Sequence, residues 1–128
     1  MHPIHRIIIA ENEQRLSAVL ARLILRHYPT ATVQTFADGQ EALDAYDAHG
    51  ADLLFVNHEM PGLDGLSLIR KLRARGDSVP TIGMSRDSRH HDAYMAVGAN
   101  AFLEGTSLNG QLAVLLGQFL PPHLNAAS

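Results

Sequence analysis

The stretch from Asp52 to Gly65 constrains the fold of this 128-residue chain more than any other. It begins with consecutive apolar residues, Leu53 to Val56, a pattern typical of a strand buried on both faces of a parallel sheet. It ends with a proline, two glycines and Asp64, which predict a sharp turn into a helix. Asn57 stands at the strand's exit, where open parallel sheets carry ligands and chemistry. The stretch therefore predicts an α/β fold with a polar site at Asn57.

Short apolar runs alternate with helical patterns along the rest of the chain. Strands are predicted over residues 5–10, 31–36, 53–56, 79–84 and 101–103, and helices over about 16–28, 38–50, 64–76, 87–97 and 108–120. Asp38 and Asp64 are predicted N-caps, and Gly50 is a predicted left-handed cap. This alternation is typical of a doubly wound parallel sheet, for which right-handed crossovers favour the strand order 2-1-3-4-5.

That order places the ends of the first and third strands side by side. Glu11, Asn12 and Asn57 are therefore expected to meet in one pocket, with Ser85 and Gly105 at its rim.

Composition excludes several classes of protein. The length fits one domain, predicted over residues 1–122, with a flexible tail over 123–128. The hydrophobic content of 46% and charged content of 18% are typical of a globular chain. A net charge of −3 argues against nucleic-acid binding, and the absence of cysteine excludes disulfides and thiolate metal sites. No signal peptide or membrane-length apolar run is found, so a cytoplasmic domain without membrane contact is expected.

Four segments together resemble the receiver domain of two-component response regulators over nearly the whole chain. They are Ile7 to Asn12, the turn from Met60 to Gly65, Pro80 to Ser85, and Gly98 to Phe102. The resemblance implies a flavodoxin-like, doubly wound five-stranded sheet. It also implies phosphorelay signalling, in which an aspartate after the third strand accepts a phosphoryl group. Mg²⁺, an acidic pair, a hydroxyl and a lysine assist that transfer.

This chain departs from the pattern inside the implied pocket. Asn57 stands at the phosphoacceptor position, and an amide cannot form an acyl phosphate. Glu11 remains of the acidic pair, but its partner is Asn12, so Mg²⁺ binding is expected to be weak or absent. The remaining positions of the pattern are held by Gly105 in place of the lysine, Ser85 as the hydroxyl and Phe102 as the switch aromatic.

Three lost groups in one pocket predict a pseudo-receiver, which is not an enzyme and signals by protein–protein contact. Two alternatives stay open: a conventional receiver with a substitute acceptor such as Glu59, and a receiver module cut from a longer, for example DNA-binding, regulator. An esterase is disfavoured because no glycine-flanked serine elbow is found, and a flavin site because the loop after the first strand is acidic. His58, next to Asn57, is interpreted as a solvated loop histidine.

The last predicted helix carries more apolar residues than one buried face requires. Val114 and Leu120 are predicted to lie off that face and, with Tyr94 and Met95, to form a candidate partner surface. The resemblance implies a histidine kinase, an output domain or a second copy of the chain as the partner.

Overall fold

The computed structural model describes residues 5–105 and 108–120 and contains a five-stranded parallel sheet with helices on both faces. The strands are β1 (Arg6–Ala10), β2 (Thr32–Phe36), β3 (Leu53–Asn57), β4 (Thr81–Ser85) and β5 (Ala101–Glu104). The helices are α1 (Gln14–His27), α2 (Gly39–His49), α3 (Gly65–Ala74), α4 (His91–Val97) and α5 (Leu108–Phe119). The predicted strand order 2-1-3-4-5 is confirmed. The predicted tail over 123–128 lies outside the described residues.

The alternating side chains of β1 explain why the sheet needs cover on both faces. Ile7 and Ile9 pack into one cluster with residues of α1 and α5, whereas Ile8 and Ala10 pack into another with residues of α2 and α3. Successive side chains of a strand point to opposite faces, so an uninterrupted apolar strand must be covered on both faces of the sheet. Ala10 pairs with Val56 of β3, and this register brings the next residues of the two strands together at the edge of the sheet.

Aspartate side chains begin two of the helices. Asp38 accepts hydrogen bonds from two backbone N–H groups of the first turn of α2, at 2.7 and 3.3 Å. Asp64 accepts one from the backbone N–H of Ser67 in α3, at 2.8 Å. Both predicted N-caps are confirmed. Gly50 has a positive φ of 75°, but its ψ of 176° is extended, so the predicted left-handed cap is wrong there.

Two predicted boundaries differ from the structure. β4 begins at Thr81 rather than at residue 79, because Pro80 has no backbone N–H with which to extend the ladder. The predicted helix over 87–97 is divided into a 3₁₀ turn, Ser88–His90, and α4. No helix in the described residues is long and apolar enough to cross a membrane.

Candidate functional site

The carboxyl ends of four strands surround a cleft of about 410 Å³. Glu11 follows β1, Asn57 ends β3, Ser85 ends β4 and Gly105 follows β5. Asn12 lies on the same wall as Glu11. The structure thus brings the five predicted pocket residues to one cleft, because parallel strands present their carboxyl ends at the same edge.

The orientation of the Asn57 amide is fixed by groups whose polarity cannot change. Its Oδ1 accepts a hydrogen bond from the backbone N–H of His58 at 2.9 Å. Its Nδ2 donates to Glu11 Oε2 at 3.1 Å and to the backbone carbonyl of Glu59 at 3.3 Å. A backbone N–H can only donate and a carboxylate can only accept, so exchanging the ends of the amide would break every contact. The amide nitrogen therefore faces the carboxylate.

Asn12 is oriented by the same acceptors. With its oxygen inward, Asn12 would accept one hydrogen bond from Asn57 at 3.1 Å while facing two other acceptors. With its nitrogen inward, it donates to Glu11 Oε2 at 3.1 Å and to the Glu59 carbonyl at 3.0 Å, although it then lies 3.1 Å from the Asn57 nitrogen, which is also a donor. The second orientation is favoured because it gains two hydrogen bonds to fixed acceptors and loses one. Two amide groups thus converge on one carboxylate oxygen.

Glu11 is the buried acid of the cleft, with only 3% of its surface exposed. Its Oε2 also accepts the backbone N–H of Glu13 at 3.0 Å, whereas its Oε1 is buried and has no hydrogen-bond partner among the described residues. Burial raises the pKa of Glu11 above its usual value, and the nearby carboxylate of Glu13 acts in the same direction. Burial therefore disfavours the charged form of Glu11, and the hydrogen bonds to its Oε2 offset that penalty only in part.

The Ser85 hydroxyl is engaged by its own loop. Ser85 Oγ accepts the backbone N–H of Asp87 at 3.0 Å and lies 2.7 Å from Nδ1 of His90. His90 belongs to the 3₁₀ turn, which starts where Asp87 accepts a backbone N–H at 2.9 Å. The sequence analysis matched Ser85 to the hydroxyl position but missed His90, since a contact over five residues depends on that turn.

His58 is not the solvated loop histidine that the sequence predicted. Its ring is half-buried and lies against the ring of His90, with 4.1 Å between the centroids and 38° between the ring planes. Its Nδ1 is buried without a hydrogen-bond partner among the described residues. The interpretation failed because His90 reaches His58 from a different loop, and sequence spacing carries no signal for that contact.

An arginine that the sequence analysis missed lies at the mouth of the cleft. Arg86 Nη2 contacts both carboxylate oxygens of Glu13, at 2.9 and 2.7 Å, and joins the β1–α1 loop to the β4–α4 loop. A Cβ built on Gly105 would lie 3.4 Å from Arg86 Cγ, so the arginine stem passes over the glycine. Its position directly after Ser85, a predicted pocket residue, is the sequence signal that could have placed Arg86 at the cleft.

The candidate partner surface requires two corrections. Met95 and Val114 are exposed, at 41% and 68%, as a surface role requires. Tyr94 is 0% exposed because its side chain enters the protein above β4, and Leu120 is 1% exposed. Leu120 continues the buried stripe of α5 formed by residues at intervals of four, and its carbonyl accepts a hydrogen bond from the Tyr28 hydroxyl. Phe102, which the resemblance matched to the switch aromatic, is half-buried.

Comparison with known proteins identifies the family. The sequence profile of the response regulator receiver domain matches residues 7–112. Sensory transduction protein RegX3 of Mycobacterium tuberculosis is 40% identical over 83 residues, which cover 64% of this chain and 35% of the relative. Transcriptional regulatory protein TrcR of the same organism is 31% identical over 84 residues, covering 65% of this chain and 32% of the relative. The chain spans about a third of the length of these curated relatives.

Solved structures show the same fold. Response regulator protein TrrA of Thermotoga maritima, in complex with Mg²⁺–BeF, has a TM-score of 0.81 at 20% identity, covering 91% of this chain and 100% of that chain. The N-terminal domain of an uncharacterized protein from Wolinella succinogenes has a TM-score of 0.79 at 25% identity, covering 98% of each chain. The chain therefore belongs to the response regulator receiver domain family, whose members are signalling modules of two-component systems.

Proposed function

We propose that this receiver domain does not accept a phosphoryl group at Asn57 and that it signals by contact with a protein partner. The observation that carries the proposal is the inward orientation of the Asn57 amide nitrogen, 3.1 Å from Glu11 Oε2. An amide nitrogen has no free lone pair, and the amide oxygen, bound here to the His58 N–H, cannot form an acyl phosphate. The phosphoacceptor position therefore offers no nucleophile to the cleft.

The donors of the cleft do not fit Mg²⁺. This cation needs a near-octahedral set of oxygen ligands, of which one or two are usually carboxylates. Of the three side chains Glu11, Asn12 and Asn57, only Glu11 carries a carboxylate, and both amides lie 3.1 Å from its Oε2. Neutral amide oxygens are weaker ligands for this hard cation than carboxylates. We therefore expect Mg²⁺ binding to be weak or absent.

Among the described residues that line the cleft, none is a lysine, and Gly105 has no side chain. The one arginine in that lining, Arg86, pairs with Glu13 at 2.7 Å at the exposed mouth of the cleft. Loss of a charged oxyanion partner typically costs about 3–4 kcal/mol of transition-state stabilisation. The hydroxyl of Ser85 is engaged by His90 at 2.7 Å. Each group that would assist the transfer is thus absent or occupied.

Intact-mass spectrometry after incubation with acetyl phosphate and Mg²⁺ tests the proposal. The expected spectrum shows no phosphoryl adduct. An adduct that requires Mg²⁺, survives in Glu59→Gln and maps to a cleft residue in peptide fragment spectra would show that the cleft accepts phosphate and would overturn the proposal. An adduct that is lost in Glu59→Gln would instead support a receiver with Glu59 as a substitute acceptor.

Receiver domains interact with histidine kinases and output domains. We propose that this chain binds such a protein, or a second copy of itself, through exposed residues of α4 and α5, Met95 and Val114. Val114→Glu should weaken the complex in analytical ultracentrifugation or kinase binding without changing the melting temperature, because Val114 is 68% exposed. Ala48→Glu, an exposed change on α2, is the matched control. Equal binding by both variants and the wild type would contradict the assignment of this surface.

A further inference from the structure

Tyr94 is a large polar side chain buried completely beneath α4. It is 0% exposed, and its hydroxyl lies 3.1 Å from the carbonyl of Val56 in β3 and 3.3 Å from that of Met84 in β4. A buried tyrosine hydroxyl needs an acceptor, and here two neighbouring strands supply one each. The ring is therefore anchored at its tip to the centre of the sheet.

Two glycines make room for this ring. A Cβ on Gly83 would lie 2.4 Å from Tyr94 Cδ1, and a Cβ on Gly65 would lie 2.8 Å from the Tyr94 hydroxyl oxygen. Real side chains do not approach so closely, and a glycine inside a strand often marks a close approach of another group. The ring of Tyr94 thus fills the space that a side chain on β4 would otherwise occupy.

The same space borders Phe102. Gly83 and Phe102 are direct partners in the parallel register of β4 and β5, so they share one face of the sheet. The Phe102 ring lies 5.8 Å from the Tyr94 ring and 5.5 Å from that of His91, measured between centroids, and it is half-buried. Phe102 could turn inward over Gly83 only if Tyr94 left its position.

We propose that Tyr94 is a positioning residue that holds Phe102 half-buried and gives a single conformation to the surface formed by α4 and β5, which carries Met95 and Phe102. The inference rests on the proposed function and deepens it: the surface offered to a partner does not depend on the chemical state of the cleft. Partner binding through this surface is then constitutive, because no second position of Phe102 is populated for a ligand to select.

Fluorine NMR of the full chain with 4-fluorophenylalanine at position 102 tests this arrangement. The wild type should give one resonance without exchange broadening on the microsecond-to-millisecond scale. Tyr94→Ala should give a second resonance or marked exchange broadening, because it opens the space over Gly83. Tyr94→Phe keeps the ring and should restore the single resonance. Exchange between two states in the wild type, or an unchanged single resonance in Tyr94→Ala, would overturn the proposal.

A smaller change covers the case in which Tyr94→Ala does not fold. Tyr94→Leu keeps an apolar core residue but leaves part of the ring space empty, and it should also broaden the Phe102 resonance. Tyr46→Phe is the control for a general loss of stability. Tyr46 lies on α2 and its hydroxyl donates to Asp77 at 2.7 Å, so this change should leave the Phe102 resonance unchanged. If neither Tyr94→Ala nor Tyr94→Leu folds, exchange of the Phe102 resonance in the wild type would still overturn the proposal, and Tyr94→Phe with a single resonance would support it.

Beryllium fluoride with Mg²⁺ separates this proposal from the proposed function. A response of the wild-type Phe102 resonance and of the His58 amide to these additions would mean that the cleft is functional and that both proposals fail. A response of the His58 amide with an unmoved Phe102 resonance would contradict only the proposed function. Exchange of Phe102 without any addition would contradict only the role of Tyr94.

Discussion

The β3–α3 turn and the cleft beside it follow different physical demands. In the turn, Gly62 has a φ of 78°, Asp64 caps α3, and the Gly65 N–H donates to the carbonyl of His58 at 3.1 Å. In the cleft, the side-chain amides of Asn57 and Asn12 face the buried carboxylate of Glu11. The residue types of the turn are those that its backbone requires, whereas the residue types of the cleft affect its chemistry and not the course of the backbone. Backbone geometry and site chemistry are therefore separable in this chain.

Gly65→Ala should give the largest loss of stability, because it changes the turn at the point where the turn contacts the backbone of Asn57. The added Cβ would lie 2.1 Å from the backbone oxygen of Asn57, and neither group belongs to a flexible side chain. Overpacking of this kind costs about 1–3 kcal/mol and sometimes more, measured as the free energy of unfolding in urea.

Gly110→Ala is the matched control for that experiment. Gly110 is exposed in α5 and a Cβ there would meet nothing within 4 Å, so alanine should stabilise the protein by about 0.5–1 kcal/mol. If Gly65→Ala is as stable as the wild type, the turn is not under the backbone constraint described above.

Introducing an acid at Asn57 should give the next largest effect, which is on the rate of phosphorylation. Asn57→Asp places a carboxylate about 3 Å from Glu11 Oε2, where like charge raises its pKa. The triple variant with Asn12→Asp and Gly105→Lys also supplies a second metal ligand and a cation. We expect the triple variant to accept phosphate from acetyl phosphate at least about tenfold faster than Asn57→Asp, a difference of about 1.4 kcal/mol. Equal rates would show that the rest of the cleft is intact.

Asp64 tests the turn through pH. The hydrogen bond from the backbone N–H of Ser67 is the main cause that holds the pKa of Asp64 below its usual value. A lowered pKa contributes stability above the unfolded value, and that contribution is lost as pH falls through the folded value. Asp64→Ala should therefore cost about 1 kcal/mol near neutral pH and progressively less in acid.

Asp64→Asn separates the cap from the charge. Asparagine is also a good N-cap, so this variant should lose less stability than Asp64→Ala and should lack the drop in acid. A difference between wild type and Asp64→Ala that is the same in acid as at neutral pH would contradict a role for the ionised carboxylate.

The sequence predicted the regular parts of the fold because local patterns determine them. The apolar run Ile7 to Ala10 and the caps at Asp38 and Asp64 each follow from neighbouring residues, and the order of the strands follows from general rules of connection. The same rules placed Glu11 and Asn57 at neighbouring strand ends.

The parts that the sequence did not predict depend on contacts between distant segments. Tyr94 and Met95 are adjacent in a short helix, and only the empty space over Gly83 decides which of them is buried. Leu120 lies beyond the last residue of α5, yet its side chain continues the buried stripe. The contact between His90 and His58 joins two loops whose relative position no local pattern encodes.

The most direct test of the central claim is the backbone amide spectrum of the wild type on addition of Mg²⁺ and beryllium fluoride. The His58 amide is the best reporter, because its N–H donates to Asn57 Oδ1 at 2.9 Å. We expect no shift of the His58 amide, because Asn57 has no carboxylate and, of Glu11, Asn12 and Asn57, only Glu11 offers an anionic oxygen to the metal. A saturable shift at His58 that requires both additions would contradict it and would show a working phosphorylation site.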